Sequence, residues 1–305
     1  MGKSVLAESN EKRYIVHVRT LGQVGAPDRK CARSCGLLRS WTTTMDFAAE
    51  YIEDLQMNGR VVFSTDDAVQ VLGKPALVVR AQLRRLKERG RIVDPYRGFH
   101  VIVPPQYRRL GCLPPDHFIP QLMEHLGEPY YVALLSAAAY HGAAHQAPMV
   151  FQVMVPRSRR GLECGAGRVD FVARKDMGST SVVERNTPTG ILRIASPAAT
   201  AVEVMGYPER CGYLDNVATV LAELAESMDG DALEVEARRA PVAWIQRLGY
   251  LLVSVGQDKL AARLDGVLAE SKVFTVPLAP WESMDGTARD MRWRVAINTK
   301  VEPDV

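Results

Sequence analysis

From Met45 onward, apolar residues recur with a period that changes from segment to segment, and each change marks an element. Met45–Asn58 carries Phe47, Ile52, Leu55 and Met57, which suits an amphipathic first helix. Val61-Val62-Phe63 is a short β run. Ser64, Thr65, Asp66 and Asp67 have the chemistry of an N-cap and an acidic first turn, so a short helix is expected through Leu72. Gly73 ends it, and Lys74-Pro75 turns the chain, with proline suited to the first position of the next helix. In that helix, Pro75–Arg89, the residues Ala76, Val79, Leu83 and Leu86 share one face and should pack inward. Lys74, Leu77, Val78, Ala81, Arg84 and Arg85 lie on or near the opposite side, with Arg80 and Lys87 on one flank. Gly90 stops the helix, Arg91-Ile92-Val93 starts a strand, Asp94–Gly98 supplies a tight turn, and Phe99–Val103 returns as a second strand.

Helix, strand, helix, turn, basic helix and hairpin is the order of a winged helix-turn-helix, expected over residues 45–103. Pro104-Pro105 and Pro114-Pro115 then bracket a short segment, and a Pro-rich, semi-rigid linker is expected over 104–116. Beyond it, Phe118–Leu126 reads as a helix ended by Gly127, and Tyr130–Tyr140 as a strongly apolar one. Val150–Val155, Arg168–Arg174, Val182-Val183 and Gly190–Ile194 read as strands, and Ser196-Pro197 opens a helix to about Gly206. Leu214–Ser227, Asp231–Arg239, Pro241–Val253 and Asp258–Glu270 follow as helices, and Arg292–Asn298 returns to strand. The expectation is an α+β protein: the N-terminal winged helix-turn-helix, then a domain over 117–305. That domain divides into a mixed α/β part (117–206), a helical part (212–272) and a C-terminal strand region (273–305).

Charge sharpens the picture locally. Lys74 to Arg97 holds eight lysines and arginines against two acids, a net of +6, while the whole chain of 305 residues carries only +3. A basic helix beside an arginine-tipped hairpin fits phosphate contacts on double-stranded DNA, with Lys74, Arg80, Arg84, Arg85 and Arg97 as candidate DNA-binding residues. The apolar Leu77, Val78 and Ala81 on the same side fit either thymine methyl groups or packing against the rest of the chain. Residues 1–44 hold eight basic residues against three acids with no sustained period, save an apolar stretch around Tyr14–Val18. They are expected to be either a weakly packed basic arm or an extension ahead of a natural start at Met45.

No apolar run reaches the roughly 18 residues of a membrane span, and no signal peptide is visible, so a cytoplasmic protein is expected. Five scattered cysteines (Cys31, Cys35, Cys112, Cys164, Cys211) argue against a disulfide framework, and Cys31/Cys35 lack a second ligand pair for zinc. His141 and His145 stand four apart, but Gly142 occupies the place of a zincin glutamate. Asp170 and Glu184 hint at a nuclease-like metal site without the lysine such a site needs. No nucleophile elbow, Walker loop or dinucleotide loop occurs. No enzyme, metal or cofactor is therefore expected.

The chain from Met45 resembles the AbiEi family of antitoxins and transcriptional regulators. The stretches that carry the likeness are Arg97-Gly-Phe-His-Val-Ile-Val-Pro-Pro105, Tyr130-Tyr-Val-Ala-Leu-Leu-Ser-Ala-Ala-Ala-Tyr-His-Gly-Ala-Ala-His145, Asn186-Thr-Pro-Thr-Gly190, Leu214–Leu224 and Trp293–Asp304. The resemblance implies an antitoxin of a type IV toxin–antitoxin, or abortive infection, system active in phage defence. It implies a repressor binding inverted repeats in its own promoter, and a second domain that counteracts a nucleotidyltransferase-like toxin, without requiring a stable complex. Rival readings are a DNA-targeted nuclease or toxin-modifying enzyme, with Asp170, Glu184 and His141 converging on a metal, and a plain transcriptional regulator with a partner-docking domain.

Overall fold

Helix α1 (Phe47–Met57) begins where Asp46 accepts a hydrogen bond from the Ala49 amide, and it buries Ala48, Tyr51, Ile52 and Leu55 along one stripe. The computed structural model describes residues 46–144 and 148–304, so the readings placed on 1–44 and on His145 lie outside the described residues. Strand β1 (Val62–Ser64) leads directly into α2 (Thr65–Leu72), whose start is a capping box: Ser64 and Asp67 each bond the other's backbone N–H. Gly73, with φ 59°, closes that helix in the left-handed conformation, and Pro75 caps α3 (Ala76–Glu88). Val79, Gln82, Leu83 and Leu86 are the buried face of α3.

The hairpin that follows departs from expectation. Strand β2 (Ile92–Tyr96) continues through Asp94 and Pro95, and its register against β3 (Phe99–Ile102) shifts between Val93 and Tyr96. Proline, lacking an N–H, is accommodated by that irregularity. The turn is therefore the pair Arg97-Gly98, with Gly98 at φ 78°. Strand β1 completes an antiparallel sheet of order β1-β3-β2.

All four residues of β3 are buried, because the strand has a hydrophobic core on each side. Ile102 joins Ile52, Phe63, Leu83, Leu86 and Ile92 in one core, while Phe99 and Val101 belong to the core of the following body. The 104–116 segment is a pair of short 3₁₀ turns (Pro105–Tyr107 and Pro115–His117) flanking buried Cys112 and Leu113. A disulfide joins Cys112 to Cys164, so the cysteine spacing misled: the partners are 52 residues apart in sequence and 5.5 Å apart between Cα atoms. Gly165, at φ 58°, lies so close to the Leu110 carbonyl that no Cβ fits.

Helix α4 (Ile119–Leu126) ends at Gly127 with φ 65°. The expected helix Tyr130–Tyr140 is instead a strand and a shorter helix: β4 (Tyr131–Val132) and α5 (Leu134–Tyr140). Tyr131 and Val132 pair antiparallel with Met154 and Val153, and Val132 pairs parallel with Ile194, so this short apolar run is the middle of a sheet. The other strands are β5 (Phe151–Val155), β6 (Leu162–Cys164), β7 (Gly167–Ala173), β8 (Val182–Thr187) and β9 (Gly190–Ala195), in the mixed order β6-β7-β5-β4-β9-β8. Helix α6 (Pro197–Gly206), capped by Ser196, is buried along nearly its whole length.

Helices α7 (Tyr213–Leu224), α8 (Gly230–Ala237), α9 (Val242–Ser254) and α10 (Asp258–Ala269) pack around α6 and one another. The tail forms a third sheet, of which only the last strand was anticipated: β10 (Val276–Pro277), β11 (Ala288–Asp290) and β12 (Val295–Ile297). Trp293 is buried against Gly249 of α9, where a Cβ would lie 2.2 Å from the indole. The described residues thus form an α+β structure of ten α-helices and three sheets. None of those helices is long and apolar enough to cross a membrane.

Candidate nucleic-acid interface

The buried stripe of α3 fixes what its other side presents. Lys74, Arg80, Arg84 and Arg85 are all exposed, and so is Arg97 at the hairpin turn. Arg84 has one acidic neighbour, Glu88, 3.7 Å away on the same helix, in a pair so exposed that it contributes little. Lys74, Arg80, Arg85 and Arg97 have no carboxylate partner among the described residues. Leu77 is 81 % exposed and Val78 44 %, with Ala81 exposed beside them. Packing against the rest of the described chain therefore does not account for this apolar strip.

The other basic residues of the segment are used within the fold. Lys87 pairs with Asp94 at 2.9 Å, Arg89 with Asp46 at 3.1 Å and Arg91 with Glu53 at 3.0 Å. Lys87, expected on a phosphate-reaching flank, instead ties α3 to β2. The uncompensated positive charge narrows to the α3 face and the hairpin tip.

A hydrogen-bond chain that sequence reasoning missed holds these parts in register. Asp94 binds Lys87 through one oxygen and His100 Nδ1 through the other at 2.7 Å, and His100 Nε2 meets the Thr65 hydroxyl at 2.8 Å. Nδ1–H donates to the carboxylate, so the ring bridges Asp94 and the Thr65 hydroxyl. The imidazole is buried and stacks on Phe63, with centroids 4.9 Å apart. Burial pushes the Asp94 carboxyl up, but the bonds from His100 and Lys87 outweigh it and hold it below the usual carboxylate range. One chain of contacts thus links α2, α3 and both hairpin strands. Its only sequence signal is a histidine within an apolar strand, followed three-dimensionally by partners 6 and 35 residues away.

The metal-site alternative separates into unrelated contacts. Asp170 pairs with Arg210, and Glu184 stands exposed opposite Arg193 on the β8–β9 hairpin. His141 caps α5 and donates Nε2–H to the Ala195 carbonyl at 2.7 Å. Burial lowers its pKa, more than that hydrogen bond raises it. Among the described residues, no group of three His, Cys, Asp or Glu side chains is placed to hold a metal ion.

The most deeply buried acid lies elsewhere. Glu203 of α6 accepts from Tyr131 at 2.7 Å and from Arg174 at 2.5 Å, while its second oxygen has no partner. Burial pushes this carboxyl up to about 7 against the pull of Tyr131 and Arg174. This tie joins the central strand to α6 and stabilises the body rather than offering a site.

No curated protein sequence matches the chain. The fold is similar to that in the crystal structure of the RV2827C protein from Mycobacterium tuberculosis, with a TM-score of 0.60 and 20 % identity over 82 % of this chain and 90 % of that one. At that identity the likeness concerns the fold alone. Residues 131–254, from the first residue of β4 to the last of α9, match the AbiEi antitoxin C-terminal domain. Sheet, disulfide-anchored edge and helical layer are thus the frame of a region that is similar to the AbiEi antitoxin C-terminal domain.

Proposed function

We propose that the protein is a DNA-binding repressor of its own operon and the antitoxin of a type IV toxin–antitoxin system. In this reading α1 to β3 are a winged helix-turn-helix, α3 enters the major groove, and Arg97 on the wing contacts the backbone or minor groove. Lys74, Arg80, Arg84 and Arg85 supply the main contacts. The observation that carries the reading is the outward face of α3: Arg80, Arg84 and Arg85, with Lys74 just before the helix, are unsequestered or weakly paired and interleaved with uncovered Leu77, Val78 and Ala81. Cations that release phosphate counterions, beside apolar groups that fit thymine methyls, are what a groove-reading helix needs.

An antitoxin family implies a toxin partner. The reading makes it a nucleotidyltransferase-like protein, counteracted in the cytoplasm by the body from residue 117 onward, without catalysis, cofactor or obligatory stable complex. The 1–44 segment is taken as separate from both parts, and 104–116 as the connection between them. Footprinting on the region upstream of the gene tests the proposal. Protection of an inverted repeat is expected. Uniform cleavage at protein concentrations that saturate non-specific binding would contradict it.

A further inference from the structure

At the C-terminal end of α6 the chain leaves a cleft of about 330 Å³. That volume is at the lower end of ligand pockets, roughly 300–1,000 Å³. The run from Met205 to Arg210 forms one side, with Glu209 exposed on it, Trp244 and Arg247 of α9 form another, and Pro280-Trp281 a third. Tyr207 packs edge-on against Trp244, with centroids 5.4 Å apart. Gly206 is required there, because a Cβ would lie 2.3 Å from the indole.

Arg247 is the unusual member. Its guanidinium is partly buried, and its hydrogen bond among the described residues runs from Nε to the Pro277 carbonyl at 2.8 Å. A guanidinium has five N–H donors in a planar fork, so the remaining four are left for another acceptor. No carboxylate pairs with it among the described residues, whereas Arg210 at the cleft margin is matched by Asp170. Burial without a counter-charge lowers its pKa. The rim is also held in place: Trp281, 41 % exposed, meets Tyr213 edge-on at 5.2 Å, and Tyr213 sits at φ 63°. That backbone conformation is costly for a bulky residue.

We propose that this cleft binds a small aromatic anion, a ring carrying a carboxylate or phosphate. The oxyanion pairs with the free edge of Arg247, and the ring lies among Tyr207, Trp244 and Trp281. An arginine beside aromatic walls binds such ligands by bidentate hydrogen bonds at one end and ring contact at the other. The inference does not depend on the DNA reading, because none of its residues belongs to α1–β3.

The walls contain their own reporters. Tryptophan fluorescence of the full chain is titrated with benzoate, with phenyl phosphate and with inorganic phosphate, each to about 10 mM, ten times the concentration at which a ligand bound by about 4 kcal/mol half-saturates. Saturable change with benzoate or phenyl phosphate, much weaker with inorganic phosphate, is expected. The responding probe identifies whether the ligand is a carboxylate or a phosphate. Arg247→Ala should raise the apparent Kd at least tenfold, with Arg247→Lys between it and the wild type. Trp281→Ala, at the exposed rim, should weaken binding likewise, and it serves as the deciding variant if Arg247→Ala does not melt cooperatively. No saturable change with either aromatic probe would overturn the proposal. So would unaltered affinity in whichever of the two variants folds.

Discussion

Asp94 and His100 illustrate how single residues position a surface they do not belong to. Asp94 reads in sequence as a turn residue before proline, but its carboxylate is the junction between Lys87 of α3 and His100 of β3. Asp94→Asn should cost about 1–3 kcal/mol of unfolding free energy at neutral pH, since it weakens a charge-assisted bond and strips Lys87 of its partner. The pH dependence has a definite sign. The folded-state pKa of Asp94 is depressed below 3.8, so its contribution is present above that value and lost as pH falls through the folded pKa. Denaturant melts of wild type and variant should therefore differ at pH 7 and converge in acid. A constant difference at every pH would count against an ionised Asp94 as the source. Residues of this kind were illegible beforehand because their partners come from other elements.

At the scale of elements, the sequence was informative where caps and periodicity agree. Ser64/Asp67, Gly73, Pro75 and Gly127 mark real helix ends, and of the inward stripe Val79, Leu83 and Leu86 are buried, with Gln82 beside them, while Ala76 is half-buried. It failed where an element owes its form to neighbours. Two residues, Tyr131 and Val132, are too few to show a period, yet strands on both sides make them the sheet's centre. The same holds for β10 and β11, which exist through pairing with β12. Gly249 looks like a helix interruption but lies inside α9 because Trp293 occupies the space of its missing side chain. Helix propensity alone would make Gly249→Ala stabilising by up to about 1 kcal/mol. Overpacking against a buried indole costs about 1–3 kcal/mol, and that effect should win. A lower melting temperature for Gly249→Ala is expected; an increase would mean that Trp293 gives way cheaply.

Across the whole molecule, β3 is the shared wall. Its Phe99 and Val101 serve the body's core, while Ile102 serves the core beneath α3. The Cys112–Cys164 bridge anchors the stretch that follows this strand to the edge of the six-stranded sheet. Under non-reducing conditions, replacing both cysteines by serine should lower the unfolding free energy by about 2–4 kcal/mol. Calorimetry should still record one transition, since the shared strand couples the two cores. Two separated transitions in the variant would show that the bridge, not the strand, provides the coupling. The body's likeness to an antitoxin domain was legible in its apolar stretches, whereas its disulfide and its aromatic cleft were not. Both assemble residues that are far apart along the chain.

In the proposed role, the cationic face of α3 holds DNA. Arg84 and Arg85 are exposed and remote from both cores, so Arg84→Ala with Arg85→Ala should leave the melting temperature nearly unchanged. A gel-shift titration of wild type and double variant on the upstream promoter, at moderate fixed salt, isolates their contribution. At least a tenfold loss of affinity and a shallower salt dependence are expected in the double variant. Equal affinities for the two proteins would contradict it.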